Sequence, residues 1–204
     1  MGTVADVRTA LIDAALPTGG GLDATPAQDV EVERLAAVLE HASAPVDVAA
    51  QRSLLAGRWK LLYGGFKLER ETTLARLSFG KLPKIDIRIT DVFQEVTADG
   101  EQYDNPVEFT FGDGLVGVQR TCGHFTVCES QSDRLEITFT GARFEPKDPF
   151  LDVRRWNAAL GVHDRAEADV AVAFAGWSDV LYLDDELRLM RGNAGNLYVL
   201  WRER

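Results

Sequence analysis

The chain has 204 residues, of which 46% are hydrophobic and 26% charged, a composition typical of a globular protein with one sizeable core. Its formal net charge of -10 argues against non-specific nucleic-acid binding and against a polybasic surface for anionic lipid, because both need an excess of Lys and Arg. No apolar run reaches the ~20 residues of a membrane-spanning helix. The acidic start, MGTVADVRTALIDAAL, predicts neither a secretory signal nor a transit peptide.

The first part of the chain has the periodicity of helices. Apolar residues recur every three or four positions from Val4 until the segment Pro17–Gly21 ends the pattern. A second helix is predicted to begin after Thr25, because Thr25 and Gln28 have the spacing of a capping box and a proline occupies the first helical position. We expect both helices to pack on the main domain.

From residue 57 onwards the apolar residues alternate with polar ones, which is the period of a half-buried strand. The clearest example is the segment Ile85–Ile89, in which three isoleucines alternate with polar side chains. Turn-rich breaks separate seven or more such segments. The pattern predicts an antiparallel sheet closed into a barrel or folded as a sandwich. We divide the chain into an N-terminal helical segment, residues 1–50, and a β domain, residues 51–204.

One helical insertion is predicted between two strands, over Asp148–Gly161. Asp148 and Pro149 are expected to cap it, and Phe150, Val153 and Leu160 share one face of the helix. The insertion could cover one end of a barrel, or it could simply link two strands.

Candidate catalytic and metal-binding residues are few. Cys122, His124 and Cys128 lie on one predicted strand face, but Cys128 is too far along a straight strand to share a metal ion with the other two. His41 and His163 have no nucleophile motif nearby. We therefore predict free thiols, no metal site, no cofactor and no catalytic residue.

The last hairpin places an arginine on an apolar strand face. Leu187, Leu189 and Arg191 alternate after an acidic turn, Asp184–Glu186, which we expect to be solvated. One hypothesis is that Arg191 stacks on Trp59 of the first strand, so that the pair closes one end of a barrel. Two alternatives stay open: Arg191 is solvated, or it holds the carboxylate or carbonyl of a ligand.

An eight-stranded barrel leaves just enough room for one small ligand. The side chains predicted to point inward would give such a pocket an apolar wall. The alternative is that they fill the barrel and leave no cavity. The candidate pocket residues are Leu61, Tyr63, Ile87, Ile89, Phe109, Phe125, Phe139 and Leu189.

Motifs at the two ends of the chain are similar to those of a known family. The opening segment contains Gly57-Arg58-Trp59 within Leu54–Tyr63, preceded by the helical lead-in Leu39–Pro45. The closing segment contains Gly176-Trp177, Tyr182–Arg188, Arg191-Gly192-Asn193 and Gly195–Leu200. Over residues 4–66 and 170–203 the chain thereby resembles the plastid lipid-associated protein (fibrillin) family. The helical insertion departs from the shorter proline-rich connection expected in that family.

The resemblance implies an antiparallel, lipocalin-like β-barrel with N-terminal helices. It also implies a non-enzymatic protein that binds or organises lipids, carotenoids or prenylquinones, and the net charge adds the expectation of no nucleic-acid partner. The expected location is a plastid thylakoid or plastoglobule, or a cyanobacterial thylakoid, with peripheral association with a membrane or lipid body. Two rival functions stay open: an enzyme of the chromophore lyase or isomerase type, with His124 and Cys122 as the candidate groups inside the barrel, and a scaffold that coats lipid bodies through its helices.

Overall fold

The structure, a computed structural model, describes residues 3–66, 68–162 and 169–204. In chain order the helices are α1 (Val4–Ala15), α2 (Pro26–Ala42), α3 (Arg52–Leu55), α4 (Leu74–Leu77) and α5 (Val153–Ala159). The strands are β1 (Gly57–Gly64), β2 (Glu71–Thr73), β3 (Asp86–Val96), β4 (Tyr103–Phe111), β5 (Leu115–Val127), β6 (Arg134–Pro146), β7 (Val170–Leu183), β8 (Leu187–Gly192) and β9 (Leu197–Arg202).

The sheet closes on itself. Its strand order is β1-β9-β8-β7-β6-β5-β4-β3, and β1 pairs with β3 as well as with β9, so these strands form a ring. Strand β2 pairs with the part of β3 that β1 does not contact, so that Glu71–Thr73 lies opposite Asp86–Arg88. Every pairing is antiparallel. The predicted mainly β, antiparallel fold with N-terminal helices and one helical insertion is confirmed.

The two N-terminal helices cover the outside of the ring. Both begin at capping boxes, and the one predicted at Thr25 and Gln28 is confirmed. Their apolar faces pack against the outer sides of β1, β8 and β9. The residues buried in this outer cluster are Leu11, Ala15, Val32, Leu35, Ala36, Leu39, Leu62, Tyr63, Leu187, Leu189, Leu197 and Val199. A second hydrophobic core therefore lies between the helices and the ring.

Strand β8 is consequently buried on both faces. Leu187 and Leu189 pack under the helices, whereas Arg188 and Met190 point into the ring. Because each face meets a core, the alternation of leucines does not reveal which side is the interior. The structure corrects the prediction that Leu189 lines an internal pocket, since this leucine lies outside the ring.

A β-bulge in β1 changes the side on which Tyr63 lies. The pairing of β1 with β9 slips by one residue between Leu61 and Tyr63, so Leu62 is an extra residue. Leu61 points into the ring, but Tyr63 points outward, where its hydroxyl donates to Asp29 of α2 at 2.9 Å. The structure thereby also corrects the prediction that Tyr63 lines an internal pocket, since this side chain lies outside the ring.

Helices α4 and α5 fill one end of the ring. Trp156 and Leu160 are buried against side chains of β3, β4 and β6, and Trp156 Nε1 donates to the carbonyl of Phe144 at 2.9 Å. The insertion therefore covers this end, in line with the first of the two alternatives. Its helix begins later than predicted, because Asp152, rather than Asp148, accepts the capping hydrogen bond.

The turn between β7 and β8 anchors α1 to the sheet. Asp184 accepts hydrogen bonds from Arg8 Nε at 2.8 Å and from the Tyr182 hydroxyl at 2.7 Å, and two backbone N–H groups of the turn donate to it at 2.8 and 2.6 Å. Burial opposes ionisation, but the hydrogen bonds from Arg8 and the turn outweigh it and lower the pKa of Asp184. The acidic turn expected to be a solvated tip therefore contains a partly buried anchor.

This anchor predicts an acid-sensitive contribution to stability. A carboxyl with a lowered pKa stabilises the fold above its unfolded pKa of about 3.9 and loses that contribution as the pH falls through its folded pKa. We expect Asp184→Asn to lower the free energy of unfolding by about 2 kcal/mol at pH 7, with a shrinking difference from wild type as the pH falls below about 4. Urea unfolding of both proteins, at several pH values from neutral to acidic, measures this difference in free energy of unfolding. The neighbouring Asp185→Asn, on an exposed side chain, is the control and should have little effect.

Candidate ligand-binding cavity

The ring encloses a cavity of about 540 Å³ that is partly open to solvent. This volume is within the range of about 300–1,000 Å³ that is usual for small-molecule sites. Phe79 and Phe174 lie at its opening, 49% and 43% exposed, with ring centroids 5.7 Å apart. Most of the lining is apolar, and it includes Leu61, Phe66, Leu68, Val92, Phe93, Val107, Ile137, Phe139, Trp177, Tyr198 and Leu200.

Two of the eight candidate pocket residues line this cavity, Leu61 and Phe139. Phe125 points into the ring but packs beside the cavity, against Tyr103 with ring centroids 6.0 Å apart. Three others belong to the cluster under α4 and α5, where they fill the end of the ring; these are Ile87, Ile89 and Phe109. Tyr63 and Leu189 lie outside, under the N-terminal helices. The cavity thus occupies the middle of the ring rather than its whole length.

Several lining residues come from segments without strand periodicity. Phe66, Leu68 and Phe79 precede β3 in irregular chain, and Asn193 belongs to the turn after β8. For two of them, Phe66 and Phe79, the sequence signal that could have drawn attention is an aromatic side chain in an irregular connection.

Trp59 closes the end of the ring opposite α5. Its side chain is fully buried, and its Nε1 donates to the carbonyl of Leu55 at 3.0 Å. Two guanidinium groups lie over the indole, that of Arg188 at 4.5 Å and that of Arg202 at 4.1 Å from the ring centroid. Such contacts are favourable because the face of an indole is electron-rich.

The structure corrects the predicted partner of this tryptophan. The arginine from β8 over Trp59 is Arg188, not Arg191. Arg191 points to the helix side of β8, where it forms a salt bridge with Glu33 of α2 at 2.8 Å and donates to the carbonyl of Gly195 at 2.8 Å. The prediction failed because Arg191 shares a face with Leu189, and that face is covered by helices rather than by the interior of the ring.

Arg188 is a fully buried cation without an anionic partner in the described part of the chain. It donates to the side-chain oxygen of Gln94 and, at 3.4 Å, to the carbonyl of Leu55, whereas its Nε has no partner among the described residues. No carboxylate of residues 3–66, 68–162 or 169–204 forms a salt bridge with it. Burial lowers the pKa of Arg188 to about 9, so the group stays charged at neutral pH.

Gln94 connects Arg188 to a polar patch on the cavity wall. Its amide nitrogen donates to the Tyr103 hydroxyl at 2.7 Å and to Asn105 Oδ1 at 3.2 Å. Thr121, close by on β5, accepts a hydrogen bond from Gln119 at 2.7 Å. We use "polar patch" for Gln94, Tyr103, Asn105 and Thr121, all of which line the cavity.

The residues considered for catalysis or metal binding lie elsewhere. His124 is exposed, Cys122 is half-buried, and neither lines the cavity; both cysteines are free. His163 lies outside the described residues. Within the described part of the chain, no group of three or more His, Cys, Asp or Glu side chains could hold a metal ion. A search of the same residues finds no helix with the length and apolar character to cross a membrane.

A family model named PAP_fibrillin matches residues 5–201, almost the whole chain. The chain belongs to the fibrillin family. A chromoplast-specific carotenoid-associated protein C1 from an Oncidium hybrid cultivar is 26% identical over 98% of this chain and 70% of its own length. A light-induced chloroplastic protein from Solanum tuberosum is 23% identical over 97% of this chain and 67% of its own length. A solved lipocalin-like protein from Bacteroides uniformis overlaps 74% of this fibrillin and 99% of its own chain, with a TM-score of 0.33 and 13% identity.

Proposed function

We propose that this fibrillin binds one apolar small molecule, of the lipid or carotenoid class, in the cavity of the ring and leaves it chemically unchanged. The observation that carries the proposal is the cavity itself: about 540 Å³, lined mainly by apolar side chains and partly open. An apolar molecule that moves from water into such a site gains roughly 25 cal/mol for each Å² of apolar surface buried. The small polar patch would fix its orientation.

The relatives support a location for this function. Their names place them in chromoplasts and chloroplasts, and the Oncidium protein is described as carotenoid-associated. We propose that this fibrillin acts in a plastid or in a cyanobacterial cell, associated peripherally with a thylakoid or a plastoglobule-type lipid body. The exposed phenylalanines at the cavity opening would face the source of the ligand.

Neither rival function has comparable support. An enzyme of the lyase or isomerase type was expected to use His124 or Cys122, and neither lines the cavity. A scaffold that coats lipid through its N-terminal helices would need an exposed apolar face, whereas the leucines of α1 and α2 are packed against the ring and only scattered residues such as Val30 and Val38 remain exposed.

The proposal predicts that filling the cavity abolishes ligand binding. Val92 is half-buried on β3 and lines the cavity, so Val92→Trp places an indole in the space that the ligand would occupy. We expect at least a tenfold loss of affinity for the neutral apolar fluorophore phenylnaphthylamine, which corresponds to about 1.4 kcal/mol. A fluorescence titration measures it.

The matched control places the same side chain on the surface. Val30 of α2 is 69% exposed, and Val30→Trp should bind the fluorophore as the wild type does. Equal binding by all three folded proteins would overturn the proposal, because the fluorophore would then bind outside the cavity.

A further inference from the structure

The hydrogen bonds around Arg188 set the directions in which Gln94, Tyr103 and Asn105 of the polar patch donate and accept. An arginine only donates, so Gln94 must turn its oxygen towards Arg188 and its amide nitrogen away from it. The two N–H bonds of that nitrogen then go to Tyr103 and Asn105, which both act as acceptors. Both N–H bonds of Gln94 are thereby used, and the orientation of its amide is fixed by the buried cation.

Three donor groups remain available on the patch, beside the spare lone pairs of its oxygens. With its oxygen accepting from Gln94, Asn105 has its NH₂ group left. The Tyr103 oxygen accepts from Gln94 and interacts with the Ser178 hydroxyl, so Tyr103 keeps its O–H proton. Thr121 accepts from Gln119 and likewise keeps its hydroxyl proton. Burial raises the pKa of Tyr103 to about 12, so its phenol keeps the proton at physiological pH. Three of the four side chains are buried, with Tyr103 3% exposed and Gln94 and Thr121 both 9%, and Asn105 is half-buried.

The charge of the interior agrees with this arrangement. Arg188 is fully buried, and no described carboxylate forms an ion pair with it. A buried positive charge favours an electron-rich atom nearby, and hydrogen bonds in which one partner is charged, or polarised by a charge, are stronger than neutral ones. A carbonyl oxygen uses the donors of the patch and brings no proton of its own, and its negative end lies favourably in the field of the buried cation.

From this geometry we infer that the ligand of the cavity is an apolar molecule ending in a carbonyl-type oxygen, a ketone or a carboxylate, which accepts hydrogen bonds from Tyr103 and Asn105. The inference rests on the proposed function and adds the chemistry of the head group. The apolar remainder of the molecule lies along Leu61, Ile137 and Phe139 towards the opening.

The test compares three molecules of matched chain length: dodecanoate, the corresponding methyl ketone, and dodecane. Each molecule is titrated against phenylnaphthylamine bound to the wild type and to Tyr103→Phe. This substitution removes one hydroxyl and keeps the aromatic side chain. We expect Tyr103→Phe to weaken the ketone or the carboxylate about tenfold and to leave dodecane unchanged, because one buried hydrogen bond to the head group is lost. Tyr63→Phe is the matched control, since this phenol lies outside the ring, where its hydroxyl donates to Asp29. It should change none of the three.

The outcomes separate the head-group inference from the proposed function. If dodecanoate displaces the fluorophore and the ketone does not, the head group of the ligand is an acid. If only the ketone displaces it, the head group is a neutral carbonyl, and both results support the inference. Binding of all three molecules with equal affinity to wild type and Tyr103→Phe overturns the inference and leaves the cavity as the apolar site. Failure of the wild type to bind phenylnaphthylamine or any of the three overturns the proposed function itself.

A second variant covers the case in which Tyr103→Phe does not fold. Asn105→Asp replaces the donating amide by a carboxylate of the same shape, which repels an acceptor head group. We expect dodecanoate to bind at least tenfold more weakly to this variant, with dodecane unaffected. Unchanged binding of dodecanoate and of the ketone would contradict the inference.

Discussion

Replacing Trp59 by alanine is expected to lower the free energy of unfolding by about 3–5 kcal/mol, the range for truncation of a large buried aromatic side chain. Trp59 is fully buried at the closed end of the ring, and the guanidinium groups of Arg188 and Arg202 lie over its indole. The truncation leaves a cavity, and it also leaves the buried Arg188 without its aromatic contact. Urea unfolding followed by circular dichroism measures the loss.

A second tryptophan provides the comparison for this prediction. Trp201 is half-buried on the outer side of β9, and Arg8 lies 5.5 Å from the centroid of its ring. Trp201→Ala should cost about 1 kcal/mol, as is typical of a partly exposed position. If Trp59→Ala were no more destabilising than Trp201→Ala, Trp59 would not close the ring in the way that we describe.

Truncation of Leu189 is expected to destabilise the protein by about 2–5 kcal/mol without changing ligand affinity. Leu189 is fully buried, but its contacts are with the N-terminal helices outside the ring. Leu189→Ala should therefore unfold at lower urea concentration and still bind phenylnaphthylamine normally under native conditions. Leu16, which is 56% exposed after α1, gives the control Leu16→Ala, for which we expect little change in stability.

Ligand affinity distinguishes the observed position of Leu189 from the one that strand periodicity suggested. A folded Leu189→Ala protein that lost its affinity for the fluorophore would place this side chain in the cavity wall. That result would contradict the outer core between the helices and the ring.

The fold was predictable because the strongest local signals agreed with the final structure. The capping box at Thr25 and Gln28 and the isoleucine alternation in β3 need no tertiary context to be recognised. The inside and the outside of the ring were not predictable by the same means. Strand β8 meets a core on each face, so the same alternation is compatible with Arg188 or Arg191 in the interior.

The candidate site was harder to predict than the fold, for two physical reasons. The bulge in β1 moves Tyr63 to the outer face, and a one-residue insertion of this kind leaves no mark in the sequence. The position of the cavity also depends on which inward side chains meet others across the ring. Phe109 meets Trp156 and α5 and is part of a filled end, whereas Leu61 and Phe139 face open space.

The central claim, that this fibrillin holds an apolar ligand inside the ring, is tested most directly by methyl NMR of the isoleucines. Ile137 lines the cavity, whereas Ile12 of α1 packs in the outer core. With saturating phenylnaphthylamine, we predict intermolecular nuclear Overhauser effects between the fluorophore and the Ile137 methyl, and none to Ile12. Contacts to Ile12 without contacts to Ile137 would contradict the account and place the binding site on the outer surface of the ring.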